Sequence, residues 1–129
     1  MKAYWDSSAL VASVWDVKIK RRLETDPGFT RPHTLAETFS ALTGNPENRI
    51  GADDAALILD RIARSLEFVE VSAPELLKAL KSARQKGVRG GRVHDYIHAL
   101  AAEKAGAGKI LTLDKNDFAD LTRLAIEQV

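Results

Sequence analysis

Apolar positions along the chain fall into two rhythms, one suited to strands and one to helices. Ala3-Tyr4-Trp5 and the run Ile110, Leu111 and Leu113 are short apolar stretches that read as buried strands. After the first, Ser7 and Ser8 are good N-cap types, and Ala9-Leu10-Val11-Ala12 starts a helix of small residues. Val17 to Glu24 continues helical and basic until Asp26-Pro27-Gly28 breaks it. Phe29 to Pro32 reads as a short strand or connection, with Pro32 stopping it. Thr34 and Glu37 spell a capping box, T-x-x-E, for a helix whose apolar face is Leu35, Phe39 and Leu42.

Gly44, Asn45, Pro46, Asn48 and Gly51 form a turn cluster. A further helix opens at Ala52 or Asp53 and runs through Ala55, Leu57, Ile58, Leu59 and Ile62. Leu66 to Val71 alternates as a strand does. Ser72 and Glu75, around Pro74, open a helix that turns Leu76, Leu77, Leu80 and Ala83 to the core. Gln85 to Arg92 is a flexible basic connection, His94 to Ala102 a helix, and Gly106 to Gly108 its stop. Leu124 to Ile126 is the last strand. Strands alternating with helices predict an α/β fold: one domain over residues 1–129, with a mostly parallel central sheet of about four to five strands and helices on both faces.

Composition narrows the partners. A formal net charge of +1 gives no overall basic field, so any nucleic-acid contact needs a local patch. The absence of cysteine excludes disulfides and thiolate metal sites and fits a reducing compartment. Ala9 to Val14 is far too short to span a bilayer, and Asp6 interrupts any signal-peptide pattern, so a cytoplasmic protein with no membrane partner is expected.

The candidate chemistry is acidic. Asp6 follows the first strand, Glu37 lies early in a helix, Asp95 starts one, and Asp114 and Asp117 follow a late strand. Carboxyl ends of inner strands are where open α/β sheets place their sites. Two of these acids also have plain structural readings, Asp6 as a helix cap and Glu37 as the capping-box glutamate. Crowded carboxylates repel unless a cation sits among them, and hard oxygen donors without cysteine or an obvious histidine pair point to Mg²⁺ or Mn²⁺. Such ions serve phosphodiester hydrolysis. A basic rim for the polyanion is available in Lys78, Lys81, Arg84, Lys86, Arg89 and Arg92, with Arg21 and Arg22. His94 and His98 are expected at the helix surface or beside substrate, and Trp5 and Trp15 in the core or a dimer contact.

Four segments, Y-W-D-S-S-A-L, T-L-A-E-T-F-S-A-L, H-D-Y-I-H-A-L-A and I-L-T-L-D-K-N-D-F, in this order and at this length, resemble those of PIN-domain ribonucleases, the VapC-like toxins of type II toxin–antitoxin pairs. The resemblance covers nearly the whole chain. It implies that Asp6, Glu37, Asp95 and Asp114 form an acidic site with Asp117 as a fifth member. Asp6, Asp95 and Asp114 would be the metal ligands, and Glu37 would act through a metal-bound water. Ser7 or Ser8, and Thr112, would orient ligands. It implies an Mg²⁺- or Mn²⁺-dependent endoribonuclease that leaves 5′-phosphate and 3′-hydroxyl ends. A homodimer and a small antitoxin protein covering the acidic groove are implied as well. The low-resolution candidates for RNA contact are Lys81, Arg84, Arg89 and Arg92.

Two other classes are open to such a chain. A phosphatase of the haloacid-dehalogenase type needs D-x-D after the first strand, whereas this chain has Asp6-Ser7-Ser8. A receiver-type phosphoacceptor domain needs a mid-chain aspartate, whereas Leu66 to Val71 ends in Ser72. A non-catalytic RNA-binding module on the same fold is favoured by loss of an acid, and none is missing.

Overall fold

A computed structural model describes residues 1–47 and 49–129; Asn48 of the expected turn cluster lies outside the described residues. The strands are β1 (Ala3–Trp5), β2 (Phe29–Thr30), β3 (Glu67–Phe68), β4 (Lys109–Thr112) and β5 (Ala125–Gln128). The helices are α1 (Ser7–Trp15), α2 (Val17–Thr25), α3 (Pro32–Gly44), α4 (Ala52–Ala63), α5 (Ala73–Leu80) and α6 (Val93–Ala105). Single 3-10 turns lie at Gly90–Arg92 and Lys115–Phe118. The five strands form one sheet in the order β3-β2-β1-β4-β5, and every pairing is parallel. The chain therefore builds outward from β1 through β2 to β3, then returns to add β4 and β5 on the other side. That reversal makes the β1/β4 boundary the topological switch point, where open parallel sheets leave a crevice at their carboxyl edge.

Strand alternation divides the core. Tyr4 and Ile110 face one layer with Tyr96, Ala99, Ala102, Phe118 and Leu121. Ala3, Trp5 and Leu111 face the other, with Ala9, Leu10, Leu23 and Leu66. Small residues on α6 let its backbone approach the sheet closely. Gly28 serves the same need at a strand, because a Cβ there would stand 1.9 Å from the carbonyl oxygen of Ala3.

Several boundaries differ from the expectation. Helix α3 starts at Pro32, not after Thr34: Arg31 is its N-cap, and Thr34 is buried inside the first turn. Proline at the first helical position has the right φ and no N–H to leave unpaired, so Pro32 stops the strand and starts the helix. The capping box therefore does not form, and Glu37 is left with other work. The strand expected over Leu66 to Val71 shrinks to two paired residues, because its neighbour β2 is itself only Phe29–Thr30, held between Pro27 and Pro32. On α5 Ala79 is buried and Leu76 half-buried, as is Ala83 just beyond the helix, while Leu77 and Leu80 are exposed. Trp5 is core, but Trp15 is more than half exposed. Among the described residues no helix is long and apolar enough to cross a membrane.

Candidate functional site

The switch point is assembled by short-range bonds at the ends of β1 and β4. Asp6 is almost fully buried and is the N-cap of α1: its Oδ1 accepts from the Ala9 amide at 2.8 Å and from the Ser8 hydroxyl at 2.7 Å. The capping reading of Asp6 is thus realised, and it aims the carboxylate off the sheet edge. Ser8 ties the two strands together. Its Oγ lies 3.2 Å from Oγ1 of Thr112 and accepts from the Leu113 amide at 3.0 Å. Thr112 Oγ1 in turn accepts from the Asp114 amide at 3.3 Å. Of the two serines, Ser8 makes this link, while Ser7 opens α1.

Asp114 caps the following 3-10 turn by accepting from the Asn116 amide at 2.9 Å, and Asp117 lies within that turn. Asp95 is in the first turn of α6. Two of the four aspartates, Asp95 and Asp117, are shifted in the presence of the others. Burial pushes the Asp95 carboxyl up to about 6, helped by Asp117 and Asp6 and opposed by His98 and Arg92. Burial also raises Asp117, with Asp114 and Asp6 adding to the effect and Arg92 opposing it. Asp6, Asp95, Asp114 and Asp117 therefore share one electrostatic neighbourhood at the carboxyl edge of β1 and β4.

Glu37 belongs to a different set of contacts. Its Oε1 stands 3.0 Å from Nε2 of His98 and 3.6 Å from the Arg31 guanidinium. Burial disfavours its charge, yet His98, Arg31 and His33 together hold the carboxyl below the usual glutamate value. His98, expected at the helix surface or beside substrate, is buried and so not at the surface, and its Nδ1 lies 2.7 Å from the Tyr4 hydroxyl. His94 is exposed, as expected. Sequence reasoning missed Arg31, His98 and Tyr4. One signal pointed to His98: it lies three residues after Asp95, on the same helix face.

The basic candidates divide. Arg92 reaches the acidic neighbourhood, since it lowers the pKa of both Asp95 and Asp117, and its guanidinium donates to the carbonyl of Ala119. Lys81, Arg84 and Arg89 are exposed on the segment leading into α6. Arg22 is drawn away from any RNA role by Glu127, which also takes Lys109 at 2.7 Å.

The donor set fits a hard divalent cation by charge and by atom type. The half-buried Asp95 carboxyl, raised to about 6 with Asp117 and Asp6 adding to the effect, would be relieved by a cation. Among the described residues no group of three acidic or histidine side chains is placed to hold a metal ion. Mg²⁺ can be held by one or two carboxylates, with water and phosphate oxygens in the other positions.

An open parallel sheet with aspartates gathered at its switch point defines the class: a single-domain α/β protein with an acidic edge. The chain belongs to the PIN domain family, whose description its sequence matches over residues 3–124. Members of that family are generally nucleases that use divalent metal ions. Among solved structures, the crystal structure of PAE2754 from Pyrobaculum aerophilum superposes with a TM-score of 0.70 at 21% identity, covering 98% of this chain and 88% of that one. At that identity the likeness supports the fold. No curated protein matches the chain.

Proposed function

We propose that the protein is a metal-dependent endoribonuclease, the toxin of a toxin–antitoxin pair, acting through Asp6, Asp95 and Asp114 with Asp117 and Glu37 beside them. The observation that carries this reading is the electrostatic neighbourhood of the four aspartates at the switch point. Asp6, Asp95 and Asp114 would hold Mg²⁺ or Mn²⁺, which when bound would polarise a phosphoryl oxygen and acidify water for in-line attack. Asp6 is fixed for this by its cap bonds to Ala9 and Ser8. Ser8 and Thr112 keep the β1 and β4 ends together, which sets the separation of Asp6 from Asp114. Asp117, on the next turn, supports the site from its rim and is the weaker ligand. Arg92, with Lys81, Arg84 and Arg89, would attract the RNA backbone.

An edge carrying several carboxylates is also suited to a basic side chain from a small antitoxin, and a homodimer would present two such edges. Co-purification with the product of an adjacent small gene, and loss of RNA cleavage in that complex, is the expected outcome. A complex that cleaves RNA as fast as the free protein would contradict the toxin assignment.

A further inference from the structure

We propose that His98, backed by Tyr4, is a positioning residue that holds the Glu37 carboxylate at the edge of the acidic centre. The proposal rests on the nuclease reading for its functional meaning, but its geometry stands apart from it. His98 is 2% exposed and Tyr4 is fully buried. A buried imidazole in the middle of a helix costs free energy unless both ring nitrogens find work. Here each faces a different element. Nδ1 lies 2.7 Å from the Tyr4 hydroxyl on β1, and Nε2 lies 3.0 Å from Glu37 Oε1 on α3.

An ionised carboxylate can only accept, so a hydrogen on Nε2 is the one that faces Glu37. Nδ1 faces the Tyr4 hydroxyl, which burial keeps protonated. The Nε2 and Oε1 atoms are close but out of line for a well-aligned hydrogen bond, and both are buried without any better partner among the described residues. Their contact is therefore chiefly electrostatic.

Both His98 and Arg31 approach the same oxygen, Oε1. Two contacts on one oxygen restrict the carboxylate and leave Oε2 without either of these partners. His98 also lies one helical turn from Asp95 on α6. One imidazole thus sets where Glu37 stands relative to Asp95, although the two acids come from different helices.

The test compares His98→Phe, His98→Gln, Tyr4→Phe and Glu37→Gln, with the double variant His98→Phe/Glu37→Gln, in RNA cleavage and in urea unfolding. The expected result for His98→Phe is a fall in kcat of about tenfold or more, with KM for RNA changed less than about twofold. The Mg²⁺ concentration dependence should stay put, and His98→Gln, whose amide can still donate to Glu37, should recover part of the rate. In the Glu37→Gln background the His98→Phe change should cost little more, because both remove one linked function. Full activity of His98→Phe, or equal losses in both backgrounds, would overturn the proposal. Unfolding reads the link without reference to cleavage: the two substitutions should couple in stability, and strictly additive effects would overturn the link. Absence of cleavage by the wild-type protein would sink the nuclease reading, and the stability cycle would then decide the His98–Glu37 link alone. If His98→Phe does not fold, His98→Gln and Tyr4→Phe carry the same comparisons.

Discussion

Individual aspartates at the site carry two loads, one structural and one chemical, and substitutions can separate them. Asp6→Asn keeps an oxygen that can accept from Ala9 and Ser8, so the cap and the fold should survive while metal binding fails. RNA cleavage should drop roughly 100-fold or more for Asp6→Asn and for Asp95→Asn, with far-UV circular dichroism unchanged. Asp114→Ala should abolish cleavage and Asp117→Ala should cost it only modestly, because Asp114 follows β4 directly; the reverse ranking would displace the site toward the turn. Asp95 adds a sign that can be checked in metal-free protein. Its folded pKa is raised to about 6 from 3.8, so its contribution to stability is complete below 3.8 and is lost as pH rises through about 6. Asp95→Asn should therefore raise the metal-free melting temperature at pH 7, with the gain vanishing in acid. A carboxylate kept charged at a cost to the fold is the pattern expected of a functional group.

The elements show why parts of the fold were legible in sequence and parts were not. β1 and β4 were readable because a short apolar run is a local signal, and the acids that follow them could be placed at the sheet edge from order alone. α3 was misjudged at its start, since Thr34 and Glu37 imitate a capping box while Pro32 sets the true beginning. β3 was overlong in sequence because strand length depends on the partner, and β2 offers only two residues. Glu37 was identified, but not its contacts: Tyr4 and His98 are 94 residues apart in the chain, and no local pattern announces such a pair. The close approach of β1 and β2 yields a stability prediction. Gly28→Ala would drive a methyl group into the Ala3 carbonyl, so the strands must part, at a cost of about 1–3 kcal/mol or more in urea unfolding. An unchanged midpoint would mean that the two strands can separate freely.

At the scale of the molecule, charge is distributed so that each edge of the sheet has its own task. On β5, Arg22 and Lys109 hold the Glu127 carboxyl down to about 2. That lowering contributes stability above the ordinary glutamate value of 4.5, lost as pH falls through about 2, the opposite window to Asp95. Glu127→Gln should accordingly reduce the melting temperature at pH 7 and converge with wild type in strong acid. It should leave cleavage alone, since the ion pairs clamp α2 to β5 away from the switch point. The carboxyl edge of β1 and β4 is left with unneutralised acids, and the segment carrying Lys81, Arg84, Arg89 and Arg92 leads into it. On the proposed reading, recruitment of RNA and its hydrolysis would fall to neighbouring parts of one surface. The most direct measurement incubates purified protein with single-stranded RNA in Mg²⁺ and in EDTA, with Asp95→Asn alongside, and maps the new ends. The account predicts cleavage in Mg²⁺ that leaves 5′-phosphates and is absent both in EDTA and in the variant. Undiminished cleavage in EDTA, or by Asp95→Asn, would contradict it.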